Sequence, residues 1–147
     1  MKRILMLMDL FFCIYDLNAQ QKYSLSEIEG KLSQSLKNLI IKFQTDWCGI
    51  CAIQDKKIQK NEELIKLLND RFYYIDFDAE STETFQLFGK TFEPGKNKIH
   101  EFAEEILKGK SAYPAWVIIN PDLEIIFEYE GLIKTQDLKA ILEKLIN

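Results

Sequence analysis

Cys48 and Cys51 stand three residues apart in the stretch Thr45-Asp46-Trp47-Cys48-Gly49-Ile50-Cys51. A pair at this spacing can do thiol chemistry if it opens a helix. Unpaired backbone N–H groups and the helix dipole then favour a thiolate at the first cysteine, whose pKa falls below the ordinary value of roughly 8.5. The second cysteine lies on the same helix face with its Cβ about 5 to 6 Å away, near enough to form a disulfide after modest adjustment. Attack by Cys48 on a partner disulfide gives a mixed disulfide, and Cys51 resolves it. Gly49 lets the loop turn tightly, and Trp47 can shield one side of the sulfur. Two plainer roles compete with this one. Within residues 20–147, half a zinc site would find only His100 as a further ligand of the usual kind, so zinc would demand a dimer. A purely structural disulfide would close a loop of about four residues, which gains little compared with a long one. Neither a metal nor a bound cofactor is expected.

Such a pair needs a strand before it and a helix behind it, and the flanking sequence supplies both. Leu39 to Gln44 is an apolar run broken only by Lys42, the pattern of a strand covered on both faces. A helical stretch follows Cys51 to about Asp70, with Asn61 placed to start a second segment. Upstream, Ser24-Leu25-Ser26-Glu27 has capping-box spacing, and Leu25, Ile28, Leu32 and Leu36 predict a first helix to about Lys37. Phe72 to Phe77 is aromatic and β-branched, a second strand, with Phe72, Tyr73 and Tyr74 expected in the sheet core. The order helix, strand, helix, strand predicts that the two strands are parallel and joined by a right-handed crossover.

A long connection runs from Asp78 to Tyr113. Within it Glu93-Pro94-Gly95-Lys96 predicts a turn with Pro and Gly at type II positions, and Ile99, Phe102, Ala103, Ile106 and Leu107 mark one face of a helix. Lys90, Lys96 and Lys98 read as part of a solvated loop, and His100 as a capped or surface histidine. Parallel strands would release residues 79 to 98 beside the cysteines, where they could form a partner-selecting rim. Ala115 to Ile119 is a further strand, Asn120-Pro121-Asp122 a turn, and Glu124 to Tyr129 the returning strand. Thr135 then caps a last helix with Leu138, Ile141, Leu142 and Leu145 facing the core.

The first residues read differently. Lys2 and Arg3 precede a mostly apolar run from Ile4 to Tyr15, and Leu17-Asn18-Ala19 puts a small residue at a signal-peptidase position, so residues 1–19 are expected to be an export signal and 20–147 the folded domain. The run is too short to span a bilayer core of roughly 30 Å, which takes about 20 helical residues. Asp9 within it speaks for the alternatives, an uncleaved anchor or a buried first helix. Cleavage after Ala19 would remove Cys13, the third of three cysteines, and leave an even pair in an oxidising compartment.

The stretch Ile41 to Cys51, with Trp47-Cys48-Gly49-Ile50-Cys51 after a strand, resembles the active site of the thioredoxin family, and Tyr113-Pro114 before a strand resembles that family's cis-proline. The match in order and type of elements covers most of residues 24 to 147. The resemblance implies an α/β, thioredoxin-like fold: a central mixed β-sheet flanked by helices on both faces, with an insertion before the cis-proline strand. It implies a substrate groove formed by Trp47, Ile50 and the backbone of Tyr113, bordered by Gly49 and Pro114, with disulfide exchange at Cys48. The chain departs from the pattern at Gly49-Ile50, where many thioredoxins have Gly-Pro, a dipeptide that affects redox poise. It departs again at Lys42, which stands where the family has a buried acid. A lysine there is expected to pack its stem and carry its ammonium to solvent. The other arrangement points Lys42 toward Cys51, where it would stabilise a thiolate.

With 147 residues the chain fits one domain, and 47% hydrophobic with 29% charged residues is an ordinary globular mix that excludes a disordered chain. Nineteen Lys and Arg against 23 Asp and Glu give a net charge of -4, without the basic surplus that nucleic acid demands. The expectation is an exported, periplasmic or secreted thiol-disulfide oxidoreductase. Its partners would be protein thiols or disulfides in that compartment and a membrane or periplasmic redox protein. A redox-inert module that holds extended peptides in the same groove is the alternative.

Overall fold

The computed structural model describes residues 19–146. Apart from Ala19, the expected export signal lies outside the described residues. A four-stranded sheet carries the site, built from β1 (Asn38–Gln44), β2 (Phe72–Asp78), β5 (Ala115–Ile119) and β6 (Ile125–Glu130) in the order β2-β1-β5-β6. Strands β1 and β2 are parallel, with Leu39 opposite Tyr73 and Gln44 opposite Asp78, as the sequence predicts. Strand β5 runs antiparallel to both β1 and β6, so the sheet is mixed.

Side-chain alternation along β1 divides the core in two. Leu39, Ile41 and Phe43 pack with Leu25 and Ile28 of α1 (Leu25–Gln34) and with Phe102, Ala103 and Leu107 of α4 (Glu101–Leu107). Ile40 faces the other way, onto Ile58 of α2 (Gly49–Gln59), Leu64 and Leu68 of α3 (Glu62–Arg71), and Leu138 and Leu142 of α5 (Thr135–Lys144). Helices therefore flank both faces. Asn61 separates α2 from α3 because its side-chain oxygen accepts the Leu64 N–H at 3.0 Å, capping the second helix. Glu27 folds back on the Ser24 N–H at 2.8 Å, which closes the predicted capping box and lowers the Glu27 pKa.

Several boundaries differ from the sequence expectation. Helix α1 stops at Gln34, three residues early, because Ser35 turns extended to enter β1 and leaves Leu36 75% exposed. Lys134, not Thr135, occupies the cap position of α5. Gly95 does not adopt the positive φ of a type II turn. A glycine is needed there because an added Cβ would sit 1.9 Å from the Ile99 carbonyl oxygen, so the requirement is close approach of two backbone segments.

The larger surprise is inside the long connection. Residues Phe85–Leu87 (β3) and Lys90–Phe92 (β4) form an antiparallel hairpin, with Phe88 and Gly89 at positive φ in its tip. The Phe88 N–H donates to a Glu29 carboxylate oxygen on α1, which ties the tip down. Phe85 and Phe92 stack at 5.6 Å and both meet the Phe102 ring edge-on. The segment is thus part of the core on the α1/α4 side, and only its first residues border the cysteines. His100 is fully buried as the α4 cap. Its Nδ1 accepts the Phe102 N–H, so the neutral ring carries its proton on Nε2 and donates to the Glu83 carbonyl at 2.8 Å.

Candidate active site

Three chain segments converge at one edge of the sheet. The carboxyl end of β1 leads to Thr45 and the cysteine turn, and the Ala79 N–H donates to the Gln44 carbonyl at 2.8 Å, holding the end of β2 beside it. Because β5 is antiparallel, its first residue, Ala115, lies opposite Phe43 near the end of β1. Antiparallel pairing therefore brings Tyr113 and Pro114 to the same edge, and the peptide bond between them is cis.

Cys48 and Cys51 are joined in a disulfide with their Cα atoms 5.3 Å apart. Cys48 is the cap residue of α2. Its Cys51 partner donates the backbone N–H to Cys48 Sγ at 3.2 Å, so that amide of the helix's first turn is spent on the sulfur. This geometry favours negative charge on Cys48 Sγ once the bond is reduced. Cys51 is only 2% exposed and Cys48 9%, which makes Cys48 the more approachable sulfur.

The sequence-derived groove residues meet around this bond. Trp47 is 68% exposed, its ring stands edge-on to Tyr113 at 6.3 Å, and its Nε1–H donates to Glu80 at 3.2 Å. Gly49 has open space where a Cβ would be, so its backbone is approachable. Ile50 projects outward. Ile53, one turn further on, is about half exposed beside it. Sequence reasoning missed Glu80 and Ile53. An isoleucine three residues after Ile50, followed by polar Gln54 and Asp55, was the available signal for the second. Burial, followed by the carboxylates of Glu80 and Asp78, raises the Tyr113 pKa.

Lys42 does not reach solvent. It is fully buried, forming ion pairs with Asp55 of α2 and, at 3.1 Å, with Asp76 of β2. A buried ammonium requires compensation of this kind, and the acids come from elements that the sheet and crossover bring over β1. Lys22 covers the outer side of Asp76 at 2.6 Å. Gln54, also buried on α2, is held at both ends of its amide by Ile133, donating to its carbonyl at 3.1 Å and accepting its N–H at 2.8 Å.

Tyr74 completes this layer, and burial, with the charges of Asp76 and Asp55 adding to it, pushes its phenol well above the ordinary range. Below the unfolded phenol pKa of about 10, both states keep the proton and this group gives no pH dependence. Above it the unfolded chain releases the proton while the folded one retains it, so folding free energy declines as pH rises. Tyr74→Phe is expected to flatten this alkaline decline, measured as urea midpoints across the alkaline range. An unchanged slope would refute the assignment.

A family model described as a thioredoxin-like domain matches residues 26–146. No curated protein matches the chain. Among solved structures, a thioredoxin-fold protein from Helicobacter pylori is 19% identical, with a TM-score of 0.61 over 75% of this chain and 69% of that one. A disulphide isomerase from Xylella fastidiosa is 17% identical, with a TM-score of 0.55 over 91% of this chain and 97% of the other. A thioredoxin from Thermus thermophilus is 15% identical, with a TM-score of 0.56 over 82% and 78%. At these identities the likeness to the solved structures is one of fold.

Proposed function

Because the chain belongs to the thioredoxin-like domain family, we propose that it exchanges disulfides with proteins, through Cys48 as nucleophile and Cys51 as resolving thiol. The observation that carries the reading is the disulfide itself, seated at the start of α2 with Cys48 Sγ accepting the Cys51 amide. In the reducing direction, the Cys48 thiolate attacks a partner disulfide and expels one partner thiolate. The Cys51 thiolate then attacks Cys48 Sγ and expels the second. The partner gains two electrons, and its two sulfurs take up two protons overall; the chain is left oxidised. The oxidising direction runs the same steps backwards. Trp47, Gly49, Ile50, Tyr113 and Pro114 would border the bound partner segment.

The reading includes export. It is supported by the basic start, the apolar run and the small residue at Ala19, which together suit removal of residues 1–19 and action in a periplasmic or extracellular space. Partners would be exported proteins carrying thiols or disulfides, with a membrane or periplasmic protein to reset the pair.

Intact-mass analysis of protein recovered from the exported fraction, followed by titration against glutathione and dithiothreitol, addresses both parts. The expected results are a chain beginning at Gln20 and a single two-electron couple at Cys48 and Cys51. Retention of residues 1–19 in the membrane fraction would overturn cleavage. A pair that exchanges with neither reagent would overturn the redox role and leave the peptide-holding module.

A further inference from the structure

The outer face of α2 continues the apolar border of the disulfide and then changes character. At about 3.6 residues per turn, Ile50, Ile53, Lys56, Lys57 and Lys60 fall within an arc of about 120°, turned away from buried Cys51, Gln54 and Ile58. The two isoleucines are half-exposed, and all three lysines are exposed. Among the described residues no acid pairs with any of the three. Asp55, the single acid of α2, is bound to Lys42 instead. Elsewhere on the surface Lys66 pairs with Asp70, Lys110 with Glu130 and Lys139 with Glu63. A chain with a net charge of -4 thus keeps three uncompensated cations in a row that leads away from its disulfide.

The turn before the disulfide carries the opposite sign. Asp46 is exposed next to Trp47, Glu80 accepts the Trp47 indole N–H at 3.2 Å, and Asp78 accepts the Glu80 N–H at 2.9 Å. A flat anionic surface such as a membrane, seated on both Trp47 and the lysines, would press against Asp46 and Glu80 as well, and like charges oppose that contact. A narrow chain segment can follow the lysines alone.

We propose that this face of α2 selects partner proteins in which the reactive cysteine has, on one side, an apolar residue and then a short run of Asp or Glu. The proposal rests on the disulfide-exchange reading and adds to it the class of partner. Geometry sets the spacing. A helix rises about 1.5 Å per residue, so Ile53 lies about 6 Å beyond Gly49 and the lysines about 10 to 17 Å beyond it. An extended partner segment advances about 3.3 Å per residue, which places its apolar residue about two positions from the cysteine and its acids about three to five positions away. Ile50 and Ile53 shed water against the apolar residue, and the lysines steer the segment before sulfur meets sulfur. Because the lysines are exposed, they act chiefly on the encounter rate, and salt weakens them.

The test follows reduction of synthetic peptides by the reduced protein. Each peptide has one cysteine held in a mixed disulfide with 2-mercaptoethanol, a leucine about two positions away, and a run beyond it of aspartate, glutamine or lysine, prepared on either side of the cysteine. On one of the two sides the aspartate peptide is expected to react about tenfold faster than the lysine peptide at low salt, although the chain as a whole is negative, and the difference should largely vanish near roughly 1 M salt. Combining Lys56→Gln, Lys57→Gln and Lys60→Gln should remove the preference and leave reduction of hydroxyethyl disulfide, a small uncharged substrate, unchanged. Ile53→Ser should slow the leucine peptides but not peptides with serine in its place. Equal rates for aspartate and lysine peptides would overturn the proposal, and so would a preference that survives the triple substitution. Equal peptide rates together with lysine-dependent sedimentation on phosphatidylglycerol vesicles would overturn it in favour of a membrane surface. Failure to reduce even hydroxyethyl disulfide is a different outcome, which overturns the exchange reading itself.

Discussion

Cys48→Ser is expected to reduce disulfide exchange to the uncatalysed background, because the remaining Cys51 is 2% exposed and has no route to a partner sulfur. Cys51→Ser should behave in the opposite way, forming mixed disulfides that persist. The asymmetry follows from the helix start. Cys48 Sγ accepts an amide hydrogen at 3.2 Å and faces the groove bordered by Trp47, whereas Cys51 is inside the first turn. Alkylation of the reduced protein, followed by peptide mapping, should therefore label Cys48 much faster than Cys51. Equal labelling rates would remove the basis for assigning the nucleophile, and residual exchange in Cys48→Ser would remove the mechanism.

Phe92→Ala is expected to cost about 3 to 5 kcal/mol, the usual range for deleting a buried phenylalanine, against a total stability of about 5 to 15 kcal/mol. Phe92 is 5% exposed and packs on the Phe85 and Phe102 rings at 5.6 and 5.3 Å, with Lys90 covering its face. Phe85 in turn stacks on His100 at 5.2 Å, so one truncation loosens the hairpin, the α4 cap and the adjoining core together. Guanidinium unfolding of the oxidised protein measures the loss. A cost below about 1 kcal/mol would mean that the hairpin is an appendage after all. Exchange per folded molecule should stay near the parent value, since the ring lies on the α1/α4 face and the disulfide opens α2 on the other.

The elements that position the cysteines were legible because each carries a strong local pattern. Leu39 to Gln44 is apolar enough to read as a covered strand, Asn61 is a cap residue, and the strand at Ala115 to Ile119 is continuous hydrophobic sequence. The cis bond before Pro114 came from the resemblance alone, since nothing in the local residues separates it from a trans proline. The β3–β4 hairpin was invisible for a physical reason. Its strands are three residues each, and its tip places Phe88 rather than Asn or Asp in the left-handed conformation ahead of Gly89, so the usual turn signal is missing. Lys42 could not be placed because its partners are 13 and 34 residues away and meet it only after the parallel pair has formed. Solvent exposure was the reasonable expectation for a lone lysine. Two acids converging on it is information held by the topology.

Gln54 also bears on how the chain comes to be made. Its amide is satisfied at both ends by the backbone of Ile133, 79 residues downstream. The central strand that precedes the cysteines likewise waits for Ala115 to Ile119 to cover its second edge. A chain emerging from the ribosome therefore exposes Cys48 and Cys51 long before the segments that enclose them arrive. Contacts so distant in sequence form late. During that interval the two thiols are open to bond with whatever else is nearby, and the last strand and helix to arrive determine when the pair becomes selective.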